Sequence, residues 1–326
     1  MKVLVLGFGD PTRSASTVYR VAQYRAVLAA HGLELEFVPR QQLGWSVLPK
    51  VAAADVVLNQ KCIINRFLGG SIRRRARRLL FDFDDAMWTR PGDQGFTGVT
   101  KWRTQGRMRW WIRNADAVVA ANHYLGDWAK PHARHLEILP MALDLSRWQP
   151  QPRPPRDEVV VGWAGSPVML RLVERVGPAL AEALRQEPRL KLAIYCGKRP
   201  ALSLPFEHVP FAPGTEPAFV QDLDIGLLPM EDTEADRGRS PIKSLQYLSC
   251  GVPVVGSFVG ASREVLDDST SLAVRTPAEW TDAIVRLARD AALRRRLGDA
   301  GLARVQRDHS IEGNGRRLAA IIRGAA

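Results

Sequence analysis

Short apolar runs alternate along this chain with longer stretches in which apolar positions recur every three or four residues. Val3–Leu6, Leu35–Val38, Val56–Leu58, Leu79–Phe83 and Ala117–Ala121 read as strands. Between them, Thr17–His31 reads as a helix stopped by Gly32, and Ile72–Arg78 and Lys101–Asn114 as further helices. A stiff proline-rich segment, residues 150–155, interrupts the series and predicts a linker. The same grammar then restarts. Val159–Trp163, Leu192–Cys196, Asp224–Leu228 and Val252–Val255 read as strands, and Leu170–Gln186, Ala278–Arg289 and Leu293–Arg307 as helices. Alternation of this kind predicts two α/β domains, each a mostly parallel, doubly wound sheet with helices on both faces. Ligands of such sheets bind outside the carboxyl ends of the strands.

Composition changes this picture little, and charge changes it more. A chain of 326 residues, 46% hydrophobic and 25% charged, has the make-up of a soluble globular protein. No apolar run reaches transmembrane length, and the opening run Met1–Gly7 reads as a first strand rather than a signal peptide, so a cytoplasmic location is expected. Cys62, Cys196 and Cys250 lie far apart in apolar surroundings and read as small core residues. The net charge of +12 is lopsided: residues 1–155 hold 23 Lys/Arg against 12 Asp/Glu, and residues 156–326 hold 23 against 22. A field of that size calls for an acidic partner, whether nucleic acid, an anionic membrane or an anionic substrate. No recognised nucleic-acid-binding motif accompanies the charge, so nucleic acid is not favoured.

The richest segment is Arg237–Ser257, R-G-R-S-P-I-K-S-L-Q-Y-L-S-C-G-V-P-V-V-G-S. A basic, glycine-containing loop leads into a short helix, which Gly251 ends before a buried strand. Free backbone N–H groups at the helix start, with Arg239 and Lys243 nearby, make an anion site, and a diphosphate suits it. The alternative is an ordinary loop–helix–strand unit with solvated arginines. Gly165-Ser166-Pro167, between a strand and a helix, can hold a phosphate in the same way or be a simple turn.

The ending Y-L-S-C-G-V-P-V-V resembles that of retaining glycosyltransferases of family 4, group 1 type, whose E-x7-E motif is followed by A-x-G-x-P-V-V. In register the two glutamates fall on Gly238 and Gln246, so both acidic positions depart from that pattern. A branch written G-K-x-P-x-K-x-L-Q-Y-M-A-x-G-x-P-V-V is more similar, and it also carries D-F-D-D-A-x-W, found here at Asp82–Trp88. The resemblance is most specific over residues 79–90, 162–172 and 224–260. It implies an α/β, GT-B fold: two doubly wound Rossmann-like domains facing across a cleft. The expected division is 1–155 for the acceptor, 156–309 for the nucleotide sugar, and a C-terminal helix, 310–326, packing back on the first domain.

The resemblance also implies roles. Gly165, Ser166, Arg171, Gly238, Ser240, Pro241, Ile242 and Gln246 would hold the donor, with Arg171 where the family has a diphosphate-binding lysine. Lys243 and Arg239 would stabilise the leaving diphosphate, since a site of this fold needs no metal. Asp84 and Asp85 would face the acceptor. A divalent-cation site at Asp82, Asp84 and Asp85, or a helix cap at Asp85, are the other readings of that segment. Gly9 in the loop after the first strand, Arg20 at the beginning of the next helix and Lys61 after the third strand would line the acceptor side. The expected activity is metal- and cofactor-independent, retaining transfer from a nucleoside-diphosphate sugar, with the leaving phosphate taking the acceptor proton. The acceptor could be a glycan, a lipid-linked molecule or a small molecule. An epimerase of sugar nucleotides and a basic nucleic-acid-binding protein are the alternatives. The arginines at 73–78 and the Arg/Trp mixture at 101–113 suit peripheral contact with the inner face of a membrane, single-stranded nucleic acid, or a helix with buried tryptophans.

Overall fold

The computed structural model describes residues 1–89 and 96–325; Arg90, at the end of one resemblance segment, and Ala326 lie outside them. The chain divides into two units. The first holds 1–142, 237–240 and 309–326, and the second 143–236 and 241–308.

In the first unit six strands, β1 Lys2–Gly7, β2 Glu34–Pro39, β3 Val56–Gln60, β4 Leu79–Phe83, β5 Ala117–Ala120 and β6 Leu136–Ile138, form one parallel sheet in the order β2-β1-β3-β4-β5-β6. β3, β4 and β5 are buried along their whole length, the reason their sequences run apolar without alternation. The helices are α1 Ala15–Arg20, α2 Arg25–Ala30, α3 Leu48–Ala53, α4 Arg66–Arg75, α5 Gly98–Asn114 and α6 His123–Ala129. The order reverses between β1 and β3, so the carboxyl ends of these strands mark the ligand crevice of this unit.

The second unit repeats the plan. Strands β7 Val159–Ala164, β8 Leu190–Cys196, β9 Glu207–Pro210, β10 Ile225–Leu228, β11 Val254–Gly256 and β12 Ser271–Ala273 are parallel in the order β12-β11-β10-β7-β8-β9, with the switch between β7 and β10. Helices α7 Leu170–Arg175, α8 Gly177–Gln186, α9 Glu216–Gln221, α10 Glu234–Arg237, α11 Ile242–Ser249, α12 Pro277–Arg289 and α13 Ala291–Asp308 follow, and α14 Ile311–Arg323 ends the chain.

Several elements differ from the sequence expectation. The helix expected over Thr17–His31 breaks at Val21 (φ −136°, ψ −48°) into α1, a 3-10 turn and α2. The helix expected over Ile72–Arg78 starts six residues earlier, because the Asn65 side chain accepts from the Phe67 and Leu68 amides and caps it. The helix expected over Leu170–Gln186 is two, since Pro178 lacks the N–H an unbroken helix would need. The unit boundary falls after Ala142 rather than at 155. Residues 143–155 are tied to the second unit: Gln221 donates to the carbonyls of Arg147 and Gln149, and Arg153 pairs with Asp224 at 3.0 Å.

α14 packs on the first unit. Its Leu318, Ala319, Ile321 and Ile322 are buried in one cluster with Val3, Val5, Tyr24 and Leu28. His309 and Asn314 hydrogen-bond the carbonyls of Met141 and Pro140.

Candidate functional site

In the first unit the polar side chains gather at the switch point. Lys61 follows β3 with φ +44°, a left-handed conformation that disfavours any residue with a Cβ. That twist places its buried ammonium 2.7 Å from Asp84 Oδ1 and 2.5 Å from Asp85 Oδ2. Its Nζ also lies 4.9 Å from the centre of the Phe8 ring, in the loop after β1. Burial would lower the Lys61 pKa, but the two carboxylates outweigh it and hold the pKa above the ordinary value. Ser16 donates to Asp84 (3.1 Å to Oδ2) and accepts from Gln60. Gln60 Oε1 in turn accepts from the Phe8 amide and the Thr17 hydroxyl, and Thr17 Oγ1 accepts from the Gly9 amide at 3.1 Å. One network thus joins the loops after β1, β3 and β4.

Asp85 is 44% exposed at its side chain, while Asp84 is buried. Desolvation first, then the negative charge of Asp84, raises the Asp85 pKa against the pull of Lys61 and Arg239. The segment 237–240 docks here. Ser240 Oγ donates to the Asp84 carbonyl at 2.8 Å, and Asn122 Nδ2 donates to the Gly238 carbonyl at 3.3 Å. A methyl group on Gly238 would lie 2.7 Å from the Ala86 Cβ, so only glycine permits this approach.

Asp82 is turned away from that group. Arg20 Nε donates to both its oxygens, at 3.0 and 2.9 Å, and Arg20 Nη1 donates to the Leu139 carbonyl. Arg20 is therefore a correction to the sequence expectation: it is buried and spent on Asp82, so it presents no cation in the loop. The Asp82 carboxyl is pushed up to about 6, because burial outweighs the attraction of Arg20. A carboxyl raised in the folded state binds its proton more tightly than the unfolded chain does, so it makes stability fall as pH rises from about 4 through 6. The stability advantage of the wild type over Asp82→Asn is expected to be largest near pH 4 and to shrink through pH 6 in urea titrations. A constant difference would refute the shift.

The three carboxylates of this segment do not converge. Asp82 faces Arg20, and Asp84 and Asp85 share an ammonium where a metal would have to sit. Among the described residues no group of three His, Cys, Asp or Glu is placed to hold a metal ion.

In the second unit the Gly165–Ser166 turn lies at the carboxyl end of β7, at the switch point. A Cβ on Gly165 would sit 2.2 Å from the Trp163 ring, which explains the glycine. α11 begins at Ile242, and its N-cap Pro241 supplies no side-chain cap, so no capping side chain occupies its first-turn N–H groups. The Tyr247 hydroxyl accepts from the Ala164 amide at 3.0 Å and fixes this helix against β7.

Two carboxylates that the sequence reading missed stand beside the expected cations. Glu216, at the start of α9, binds the Lys243 ammonium and accepts from Gln246 Nε2 at 3.2 Å. Glu231, just after β10, pairs with Arg171 at 2.7 Å and with Arg175. Lys243, Gln246 and Glu216 are thus brought together, and so are Arg171 and Glu231. Arg239, Gly238 and Ser240 fall with the first unit instead, and Pro241, Ile242 and Lys243 with the second. Neither was singled out in the sequence: Glu216 opens a short helix with no motif around it, and Glu231 is one of four acids within Glu231–Asp236, so its pairing with Arg171 is set by the fold.

Residues 164–290 match the family model described as Glycosyl transferases group 1. No curated protein matches the chain at the sequence level. Solved structures match in fold. A sucrose-phosphate synthase (tll1590) from Thermosynechococcus elongatus is 17% identical with a TM-score of 0.76, over 99% of this chain and 98% of that one. Anabaena Alr3699/HepE, in complex with UDP and glucose, is 14% identical with a TM-score of 0.71, over 99% and 100%. A glycosyltransferase from Rickettsia africae ESF-5 is 11% identical with a TM-score of 0.71, over 99% and 98%.

Proposed function

With residues 164–290 belonging to the glycosyl transferases group 1 family and both units built as the halves of a GT-B fold, this is a glycosyltransferase, and we propose that it moves a sugar from a nucleoside diphosphate with retention of configuration. The observation that carries the donor reading is the group at the carboxyl end of the second sheet. It comprises the Gly165–Ser166 turn, the uncapped start of α11, and the cations Lys243 and Arg171. Complexes of a fold relative with UDP and glucose support a nucleotide-sugar donor.

In this reading the second unit binds the donor and the first unit the acceptor. The bond from the anomeric carbon to the phosphate oxygen breaks, and a bond to the acceptor oxygen forms on the same face. The leaving phosphate oxygen takes the acceptor proton. Helix N–H groups, Lys243 and Arg171 of the second unit meet the growing negative charge, so no metal or cofactor is called on. In the unbound protein Glu216 and Glu231 hold these two cations in place. A lysine has three donor protons, so Lys243 can keep Glu216 while it donates to a phosphate oxygen. On the acceptor side Asp85 is the exposed carboxylate, placed by Lys61, and Asp84 is the buried one behind it. Gly9 lies in the supporting loop.

The test is ligand-induced stabilisation. A nucleoside diphosphate at a hundredfold excess over Kd is expected to add about 2.7 kcal/mol. Thermal shift with UDP, GDP and ADP should show this for at least one base, and Lys243→Ala should remove most of it. The absence of a shift with all three would refute the donor site.

A further inference from the structure

We propose that the surface formed by the start of α4 and the first half of α5 is a docking surface for an anionic lipid bilayer. The inference goes beyond the donor reading and does not depend on it. Phe67 is 83% exposed, Trp102 71% and Val99 62%, three of the few large apolar side chains that the described residues leave in solvent. They belong to one corner. Arg66 reaches the Gly106 carbonyl at 3.5 Å, and a methyl group on Gly69 would lie 2.9 Å from the Trp110 ring, so α4 and α5 run side by side. Phe67 follows Arg66, and Trp102 and Val99 sit one and two turns before Gly106 on the same stripe of α5.

The buried half of the same helices explains why these residues are not core. Trp111 and Met108 enter the core beside Leu68 and Ile72, and Trp111 Nε1 donates to the Ile64 carbonyl. The sequence alternative of a helix with buried tryptophans therefore holds for Trp111 but not for Trp102.

Charge selects the occupant. α4 and α5 carry Arg66, Arg73, Arg74, Arg75, Lys101, Arg103, Arg107, Arg109 and Arg113 and no acidic residue. Arg73 is taken by Asp116, and Arg109 lies over the Trp128 ring. Arg66, Arg103 and Arg107 are exposed, with no carboxylate partner among the described residues. Protruding apolar side chains ringed by cations match the boundary between acyl chains and anionic headgroups. Single-stranded nucleic acid fits less well, because Val99 offers no ring to stack on a base.

Co-sedimentation with phosphatidylcholine vesicles, with and without phosphatidylglycerol, at low and high salt, tests this. The protein is expected to pellet with the anionic vesicles at low salt and to be released by high salt. Phe67→Ala/Trp102→Ala is expected to lower the partition by about tenfold, since burial of each ring contributes. Arg103→Glu/Arg107→Glu should abolish it. All four positions are exposed, so thermal unfolding and the nucleoside-diphosphate shift should stay at wild-type values, which separates this proposal from the donor reading. Equal recovery in the supernatant under every condition would overturn the proposal. So would unchanged binding by Phe67→Ala/Trp102→Ala, or binding of a single-stranded oligonucleotide in place of vesicles.

Discussion

A chain ending at Asp308 is expected to lose the folded first unit. α14 follows the second unit in sequence but lies in the core of the first, where Leu318, Ile321 and Ile322 are at most 3% exposed. Burial of three such side chains stabilises by about 6 kcal/mol, at roughly 2 kcal/mol each. That is comparable with the whole stability of a typical domain, about 5–15 kcal/mol. The loss would also strip the partners of the Met141 and Pro140 carbonyls and open Tyr24 and Val27 where Gly315 now packs. The measurement is limited proteolysis of 1–308 beside the full chain, with mass spectrometry of the fragments. Fragments from the second unit should survive, and those from 1–142 should be cut throughout. The milder Leu318→Ala/Ile322→Ala variant should lower the unfolding temperature without changing the protected regions. Equal protection of both units in 1–308 would show α14 to be dispensable.

The second large effect is expected at Lys61. Its ammonium is the shared counterion of Asp84 and Asp85. Lys61→Met leaves two neighbouring carboxylates without it, one of them buried. Breaking a buried pair in this way costs about 3–5 kcal/mol. Adding Asp84→Asn and Asp85→Asn removes the orphaned charges and should restore most of that loss, since the penalty lies in the uncompensated charge. Urea unfolding of the single, double and triple variants gives the cycle. If the triple variant is no more stable than Lys61→Met, the interaction is packing rather than charge. Transfer activity is expected to stay lost in all three, because Asp85 is then either misplaced or neutral. Activity in the stable triple variant would remove the two carboxylates from the acceptor side.

Which parts of this protein were legible in the sequence follows from the range of the forces involved. Central strands are buried on both faces, so β1, β3, β4, β5, β7 and β10 announce themselves as apolar runs, and their alternation with helices specifies parallel sheets. The tail at 247–255 and the D-F-D-D segment likewise pointed to the glycosyltransferase family. The edge strands β6 and β9 were not legible: they are short and half-exposed, so no run marks them. Local hydrogen bonding decided where α4 starts, and an Asn cap among apolar neighbours gives a weak signal.

The pairing of charges belongs to the tertiary structure alone. Lys61 and Asp85 are far apart in sequence, and adjacent parallel strands bring their carboxyl ends to one edge. The same holds for Lys243 with Glu216, and for Arg171 with Glu231. Arg20 was expected to line the acceptor side from the helix after the first loop, because periodicity cannot tell a buried ion pair from an exposed arginine. The return of the last helix to the first unit was expected only through the family resemblance, and the crossing at 237–240 was not expected at all, because a continuous chain carries no mark of which core its next segment will join. Local sequence determined the elements and the chemistry on offer. Only packing, which alone can set residues distant in the chain within hydrogen-bond reach, decided which charges stand together and which are spent on each other.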